Sequence, residues 1–252
     1  MTRVEHIGDA ILYLGDCMEV LPSLIKVDHI ICDPPYEASL HDSKNSGTVR
    51  RRSGPDLKGL NFEPIDAIRG DVVNLAMQIS DGWFIAFCTI EGVAKWADEI
   101  NKSLMKYKRA CIWIKPDATP QLNGQGPAQG AECFVTAWCG TGHAKWNAGG
   151  KRGVYRHMVN PPDRNHEHPT EKPWRLFAEL LTDFTKPGQT VLDPFMGSGT
   201  TGIACAKMGR KFVGIEKDPQ WFDLARRRLE QAYSQPDFFV TPQPKAIQEA
   251  LL

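Results

Sequence analysis

Two stretches of this sequence end an apolar run on an acid and follow it with residues that stiffen or open the backbone. In the first, His29-Ile30-Ile31-Cys32 leads into Asp33-Pro34-Pro35-Tyr36. Proline fixes φ and biases the preceding residue toward an extended shape, so this loop is stiff. An acid, a carbonyl and an aromatic on a stiff loop suit one kind of chemistry. The Asp33 carboxylate and the Pro34 carbonyl can accept both hydrogens of a conjugated amino group, which localises the nitrogen lone pair for attack on an electrophilic carbon. The same acceptors stabilise the positive charge that grows on the nitrogen. Tyr36 would stack on the ring of a base swung out of a duplex. A tight Pro-Pro turn capped by a surface aspartate leaves the same tetrapeptide, and four residues alone do not separate the two readings.

The second stretch is Val191-Leu192-Asp193-Pro194-Phe195-Met196-Gly197-Ser198-Gly199-Thr200-Thr201-Gly202. Its glycines let the backbone approach a ligand, and the amides at the start of the following helix attract negative groups. The spacing of Gly197, Gly199 and Gly202 satisfies the dinucleotide fingerprint. Glu216 closes the next apolar run, where a carboxylate would accept hydrogen bonds from ribose hydroxyls. Nicotinamide dinucleotides and S-adenosylmethionine both fit this much. Asp193 decides between them, because a carboxylate there attracts the cationic amino group of a methionine moiety and repels a pyrophosphate. Chain order agrees: only about fifty residues follow the glycines, too few for the sheet of a dinucleotide domain. The missing strands must come from the N-terminal half, so the sheet is assembled in permuted order. A glycine turn that merely packs helix on strand is the bland alternative.

The elements that must position these residues follow from periodicity. Strands are expected at Ala10–Leu14, His29–Cys32, Trp83–Cys88, Arg109–Ile114, Glu132–Trp138, Thr190–Leu192 and Lys211–Ile215. Helices are expected at Cys17–Ile25, Ile65–Ile79, Gly92–Leu104, Pro173–Phe184, Thr200–Met208 and Pro219–Tyr233. Short apolar strands alternating with helices indicate an α/β fold with a doubly wound, mostly parallel sheet, and antiparallel strands between Arg109 and Trp138. Residues 37–61 read as a mobile basic loop and 139–168 as irregular, basic and aromatic. Residues 1–233 make the body, and 234–252 a Pro-rich tail with a short helix over Pro244–Leu252.

Bulk properties narrow the classes further. The 30 basic and 30 acidic residues cancel, which excludes a uniformly basic nucleic-acid binder. The basic residues are instead gathered: Lys44, Arg50, Arg51, Arg52 and Lys58 in one segment, Lys145, Lys151, Arg152, Arg156 and Arg164 in another. Of these, Lys44, Arg50, Arg51, Arg52, Lys151 and Arg152 are candidate phosphate contacts, with solvated surface as the alternative. No apolar run reaches membrane-spanning length and the N-terminus lacks a signal-peptide stretch, so a cytoplasmic protein is expected. The seven cysteines include no C-x-x-C pair and read as reduced, mostly buried thiols. Cys133, Cys139 and His143 match no common zinc spacing, and no metal is expected.

Taken in order, Gly15-Asp16-Cys17, Asp33-Pro34-Pro35-Tyr36, His168-Pro169-Thr170-Glu171-Lys172-Pro173, the Asp193–Thr200 turn, Glu216 and Arg226-Arg227-Arg228-Leu229 resemble the permuted (beta-class) amino DNA methyltransferases, the N6-adenine/N4-cytosine family. The resemblance covers most of residues 9–36 and 166–232. It implies a Rossmann-like S-adenosylmethionine-dependent methyltransferase fold with circularly permuted motif order, and S-adenosylmethionine as cofactor. It implies Asp33, Pro34, Pro35 and Tyr36 as the catalytic residues. Asp16 and Cys17 would lie near the adenosyl base. Thr170 and Lys172 would shape the cofactor pocket with Asp193, Phe195, Gly197, Ser198, Gly199, Thr200 and Glu216, although Lys172 also suits a packing or cap position. An aspartate at the first catalytic position leans toward adenine N6, with cytosine N4 as the alternative. The partner implied is double-stranded DNA in a bacterial or phage setting; a homodimer and a restriction endonuclease partner are compatible but not required. The chain departs from larger members in its short insert, about 115–166. Target recognition is therefore expected from the 37–61 loop together with 139–165, where Trp146, Tyr155 and His157 would stack or wedge, unless they pack a satellite core. An RNA or protein-amide methyltransferase, an NAD-dependent oxidoreductase and a catalytically dead DNA-binding relative explain fewer of these features.

Overall fold

The computed structural model describes residues 3–36, 65–120, 126–162 and 171–234. Nine strands form one sheet: β1 (Arg3–Ile7), β2 (Ala10–Leu14), β3 (His29–Cys32), β4 (Trp83–Cys88), β5 (Lys106–Ile114), β6 (Ala131–Trp138), β7 (Val154–Arg156), β8 (Thr190–Asp193) and β9 (Lys211–Glu216). Their order across the sheet is β1-β2-β9-β8-β3-β4-β6-β5-β7. The run from β2 to β4 is parallel, while β1, β5 and β6 pair antiparallel with β2, β6 and β4 respectively.

Side chains alternate across a strand, so an apolar run feeds both faces of the sheet. Ile31, Ile85, Phe87, Val191 and Phe212 enter one core, beneath α4 (Trp174–Phe184), α5 (Thr200–Lys207) and α6 (Pro219–Ser234). Ile30, Cys32, Phe84, Ala86 and Leu192 enter the other, beneath α1 (Cys17–Val20), α2 (Arg69–Ile79) and α3 (Gly92–Lys102). With both faces covered, β3 and β4 are buried along their whole length and β8 and β9 in all but their first residue, and each fully buried Phe or Leu contributes roughly 1.5–3 kcal/mol.

The centre of the sheet joins distant parts of the chain. β3 lies between β8 and β4, with His29 beside Val191 and Ile30 beside both Leu192 and Phe84. The buried His29 ring spans all three strands: Nδ1 accepts from Trp83 N at 3.0 Å, and Nε2 donates to Gln189 Oε1 at 3.0 Å. Burial lowers its pKa, favouring the neutral tautomer that these two bonds require.

Several expected boundaries move for local reasons. The helix expected over Cys17–Ile25 is α-helical only to Val20, because Pro22 lacks the N–H that would continue it; Leu21–Ser23 is a 3-10 turn and Ile25 is exposed. β1 and β7 were not expected. β1 has no buried residue to betray it, and β7 is three residues long with only Tyr155 buried. The segment expected to be irregular thus supplies an edge strand, which pairs in parallel with β5. The 37–61 loop, Thr170 and the 235–252 tail lie outside the described residues. None of the seven cysteines forms a disulfide, and six of them are buried. No helix of the described residues is long and apolar enough to cross a membrane.

Candidate active site

The parallel register brings the carboxyl ends of β2, β9, β8 and β3 to one edge of the sheet. Leu14 pairs with Glu216 and Asp193 with Gly214. Asp16, Glu216, Asp193 and Asp33 therefore stand in a row where ligands bind in open α/β sheets.

On one side of this row is the glycine turn between β8 and α5. Gly197 and Gly199 have φ of 50° and 81°, the left-handed region that favours glycine. A Cβ on Gly199 would come within 2.8 Å of Leu229, so α6 packs against bare backbone there. A Cβ on Gly197 would meet nothing within 4 Å, which leaves open space above the turn. Two acids shape the loop from below. Asp193, only 2% exposed, accepts from Phe195 N at 3.0 Å and from the Thr201 hydroxyl at 2.6 Å. Glu216 accepts from Gly197 N and Asp218 N, each at 2.9 Å. Burial pushes Asp193 up to about 7, with Asp33 and Glu216 adding to the rise against the bonds from Thr201 and Phe195. Burial likewise raises Glu216.

Neither Asp193 nor Glu216 has an ion-pair partner among the described residues. Both were expected to meet a ligand directly; each also spends its oxygens on the turn, so part of its work is to hold the glycine backbone in place. Asp16 caps α1 through Met18 N at 2.8 Å, and Gly15 N donates to Glu216 O at 2.9 Å, which docks this corner beside β9. Cys17 is buried, and burial pushes its thiol up to about 12. Ser198 and Thr200 are buried and Phe195 is half-buried. Arg228 joins the turn to the segment before α4: it donates to Ser198 O at 2.8 Å and to the Glu171 carboxylate.

On the other side of the row is the Asp33–Tyr36 loop. Asp33 is 30% exposed at the side chain. Its Oδ2 lies 2.5 Å from Lys172 Nζ, and its Oδ1 is buried with no hydrogen-bond partner among the described residues. Tyr36 donates its hydroxyl proton to Glu132 Oε2 at 2.7 Å and accepts from Lys172 at 2.9 Å. The ring is thus pinned at its polar end. Glu132 is also bonded to Lys115. Burial works to raise Glu132, but Lys172 and Lys115 outweigh it and hold the carboxyl at about 2.

Lys172 was expected at the cofactor pocket or in a packing position; the structure places its ammonium on Asp33 and Tyr36, on the other side of the row from the glycine turn. Glu132 and Lys115 were not singled out from the sequence. A carboxylate inside Ala131-Glu132-Cys133-Phe134-Val135 was the available signal, since an acid in an apolar strand needs a buried partner.

The second basic segment is organised differently from the sequence expectation. Lys151 is an internal ion-pair partner, 2.6 Å from Glu179 and 2.5 Å from Asp183. Tyr155 is fully buried and donates to Asp183 at 2.8 Å. Trp146 packs edge-on against Phe184 at 4.8 Å, and His157 lies 2.5 Å from Glu179. The aromatics expected to stack or wedge therefore pack against α4 instead, because α4 offers both an apolar stripe and two acids. Arg152 remains exposed. Lys44, Arg50, Arg51 and Arg52 lie outside the described residues.

Residues 27–227 match the N6/N4 methyltransferase family described as DNA methylase. The chain is 45% identical to the Type II methyltransferase M2.DpnII of Streptococcus pneumoniae over 64 residues, 25% of this chain and 24% of that protein. It is 23% identical to the Type II methyltransferase M.HinfI of Haemophilus influenzae over 271 aligned positions, 92% of this chain and 72% of the relative. The crystal structure of the M1.HpyAVI–SAM complex superposes with a TM-score of 0.65 at 26% identity, over 86% of this chain and 98% of that one. PvuII DNA methyltransferase (cytosine-N4-specific) shares the fold, with a TM-score of 0.66 at 15% identity over 90% and 92% of the two chains.

Proposed function

This chain belongs to the N6/N4 family of DNA methylases, and on that premise we propose that it methylates the exocyclic N6 of adenine in double-stranded DNA, acting on a flipped-out base. The methyl donor is S-adenosylmethionine. The observation that carries the reading is the adjacency of β3 and β8, which sets the Asp33 loop beside the glycine turn. The site fits this donor. Open space over Gly197 leaves room for it, and buried acids with no cationic partner among the described residues suit its positive charge.

When bound, the donor supplies an electrophilic methyl group on a sulfonium. Everything else falls to this chain. Asp193 and Glu216 hold the turn and supply negative charge where an α-amino group and ribose hydroxyls would lie. Asp16 and Cys17 border the same corner of the sheet. Tyr36 presents a ring for the flipped base, and the Asp33 carboxylate with the Pro34 carbonyl accepts the two amino hydrogens. This draws the lone pair out of conjugation and stabilises the cationic nitrogen that forms. The displaced amino proton leaves by way of Asp33 to water.

Aspartate at the first catalytic position supports adenine over cytosine. Arg152, with Lys44, Arg50, Arg51 and Arg52 of the first basic segment, offers cations for the phosphates. Incubation with labelled S-adenosylmethionine and duplex DNA, followed by nucleoside analysis, tests the reading. Label in N6-methyldeoxyadenosine is expected. Label in N4-methyldeoxycytidine would move the target base, and label confined to RNA would overturn the DNA substrate.

A further inference from the structure

Five polar groups from four parts of the chain converge behind the Asp33 loop. Asp33 and Tyr36 follow β3, Glu132 lies in β6, Lys115 follows β5, and Lys172 lies in the segment that enters α4. Lys172 is their hub. Its ammonium is 2.5 Å from Asp33 Oδ2, 2.9 Å from the Tyr36 hydroxyl and 3.4 Å from Glu132 Oε2. An ammonium has three N–H donors, and here each has an acceptor inside the site. The side chain is 7% exposed, and the Phe87 and Tyr36 rings lie 5.0 and 5.2 Å from the charge. An ammonium so enclosed is held by its partners rather than by water, so its position is fixed.

We propose that Lys172, aligned by Glu132, is a positioning residue for methyl transfer: it holds the Asp33 carboxylate in its charged form and in one orientation, so that the carboxylate can accept the amino hydrogens of the target base. The inference rests on the assignment of Asp33 as the acceptor for that amino group. A carboxylate offers about four lone-pair sites, so Oδ2 can serve Lys172 and a further donor, and the bare Oδ1 adds capacity. A protonated Asp33 would present a donor where an acceptor is needed.

The charged and titratable groups facing Asp33 come from every neighbouring element. Lys172, Lys115 and Glu132 lie across the loop, Asp193 at the end of the adjacent β8, and Tyr36 and the Cys32 thiol on its own segment. Burial raises Asp33, Glu132 adds to that rise, and Lys172 is the strongest opposing influence, helped by Lys115. Burial alone would lower Lys172, but Asp33 and Glu132 outweigh it and keep the ammonium charged. The two substitutions therefore have opposite signs. Removing the cation leaves Asp33 among like charges, whereas removing Glu132 takes one of those charges away.

The test is the pH profile of single-turnover methyl transfer in the full chain, with donor binding measured separately. In Lys172→Met the acid limb should move up by roughly one to three pH units, with transfer recovering at alkaline pH. In Lys172→Arg the limb should lie between the two. In Glu132→Gln it should move down by less than about one pH unit. Donor affinity should stay within about two-fold of the wild type in all three, as the lysine is on the base side. Should Lys172→Met fail to fold, Glu132→Gln decides by the direction of its limb. A loss that is uniform across pH, or an unshifted limb, in variants of an active wild type would overturn the positioning role alone. A wild type that transfers no methyl group would instead overturn the function on which it rests.

Discussion

The acids on the two sides of the site are neutralised in different ways. Asp193 and Glu216, beside the glycine turn, meet backbone amides and one hydroxyl. Asp33 and Glu132, on the other side, meet the ammonium groups of Lys172 and Lys115. Under the proposed function the ligands account for the difference. A sulfonium donor brings its own positive charge, so its half of the site holds acids with no cationic partner among the described residues, and before a donor binds, burial keeps Asp193 protonated up to about 7. An adenine or cytosine is neutral, so its half must be balanced before the base arrives, and only the positive charge that develops during transfer is unprovided for. Desolvated charges cost less free energy when each finds its counter-charge in the complex that reacts.

The largest expected effect is on the balanced side. Asp33→Ala should lower the transfer rate by about a thousand-fold or more, while donor affinity, measured by calorimetry, stays unchanged or rises because one carboxylate near Asp193 is gone. A parallel fall in donor affinity would break the division into two independently charged halves.

Asp193→Asn should weaken donor binding by roughly 10- to 100-fold, the range for a lost hydrogen bond to a charged group. It should also flatten the pH dependence of ligand-free stability. An unfolded aspartate titrates near about 3.9, and the folded one at about 7. Between those values the folded chain holds the proton. The group's contribution is therefore fully present below about pH 4 and is lost as pH rises through 7. Asparagine never charges, so thermal melts from pH 5 to 8 should show a smaller decline than in the wild type. Equal slopes would mean that Asp193 is ionised in the unliganded protein.

The smallest effect should come from Tyr36→Phe. It keeps the ring and removes one hydroxyl between Glu132 and Lys172, groups that still face each other. A loss of about 1 kcal/mol, or several-fold in rate, is expected. A fall beyond about a hundred-fold would place the hydroxyl on the reacting nitrogen.

Three acids at the ends of parallel strands were legible, because Asp33, Asp193 and Glu216 each close an apolar run, and the first two are followed by residues with special backbone behaviour. The parallel centre of the sheet was legible for the same reason. Lys172 was visible in its motif, but its contacts with Asp33 and Tyr36 were not: a motif fixes where a residue stands in the chain, while the direction of a long side chain depends on partners from other strands. Glu132 and Lys115 illustrate the point, since they meet Asp33 only after β6, β4 and β3 are aligned. The partners of Tyr155 and Lys151 were not legible, because their glycine-rich, basic setting resembles a surface loop. What holds them is the acid pair Glu179 and Asp183, more than twenty residues away.

The pairing of β3 with β8 and of β2 with β9 bears on how the molecule comes into being. The catalytic strand is made early, yet one of its edges has no partner until residues about 160 positions later emerge. At typical synthesis rates that is roughly 8–30 s. Through that interval His29–Cys32 is an apolar strand with an open edge, the kind of segment that pairs wrongly or recruits a chaperone. The cluster around Asp33 draws only on residues up to Lys172, whereas the glycine turn follows β8, so the two sides of the site meet only once β8 has paired with β3.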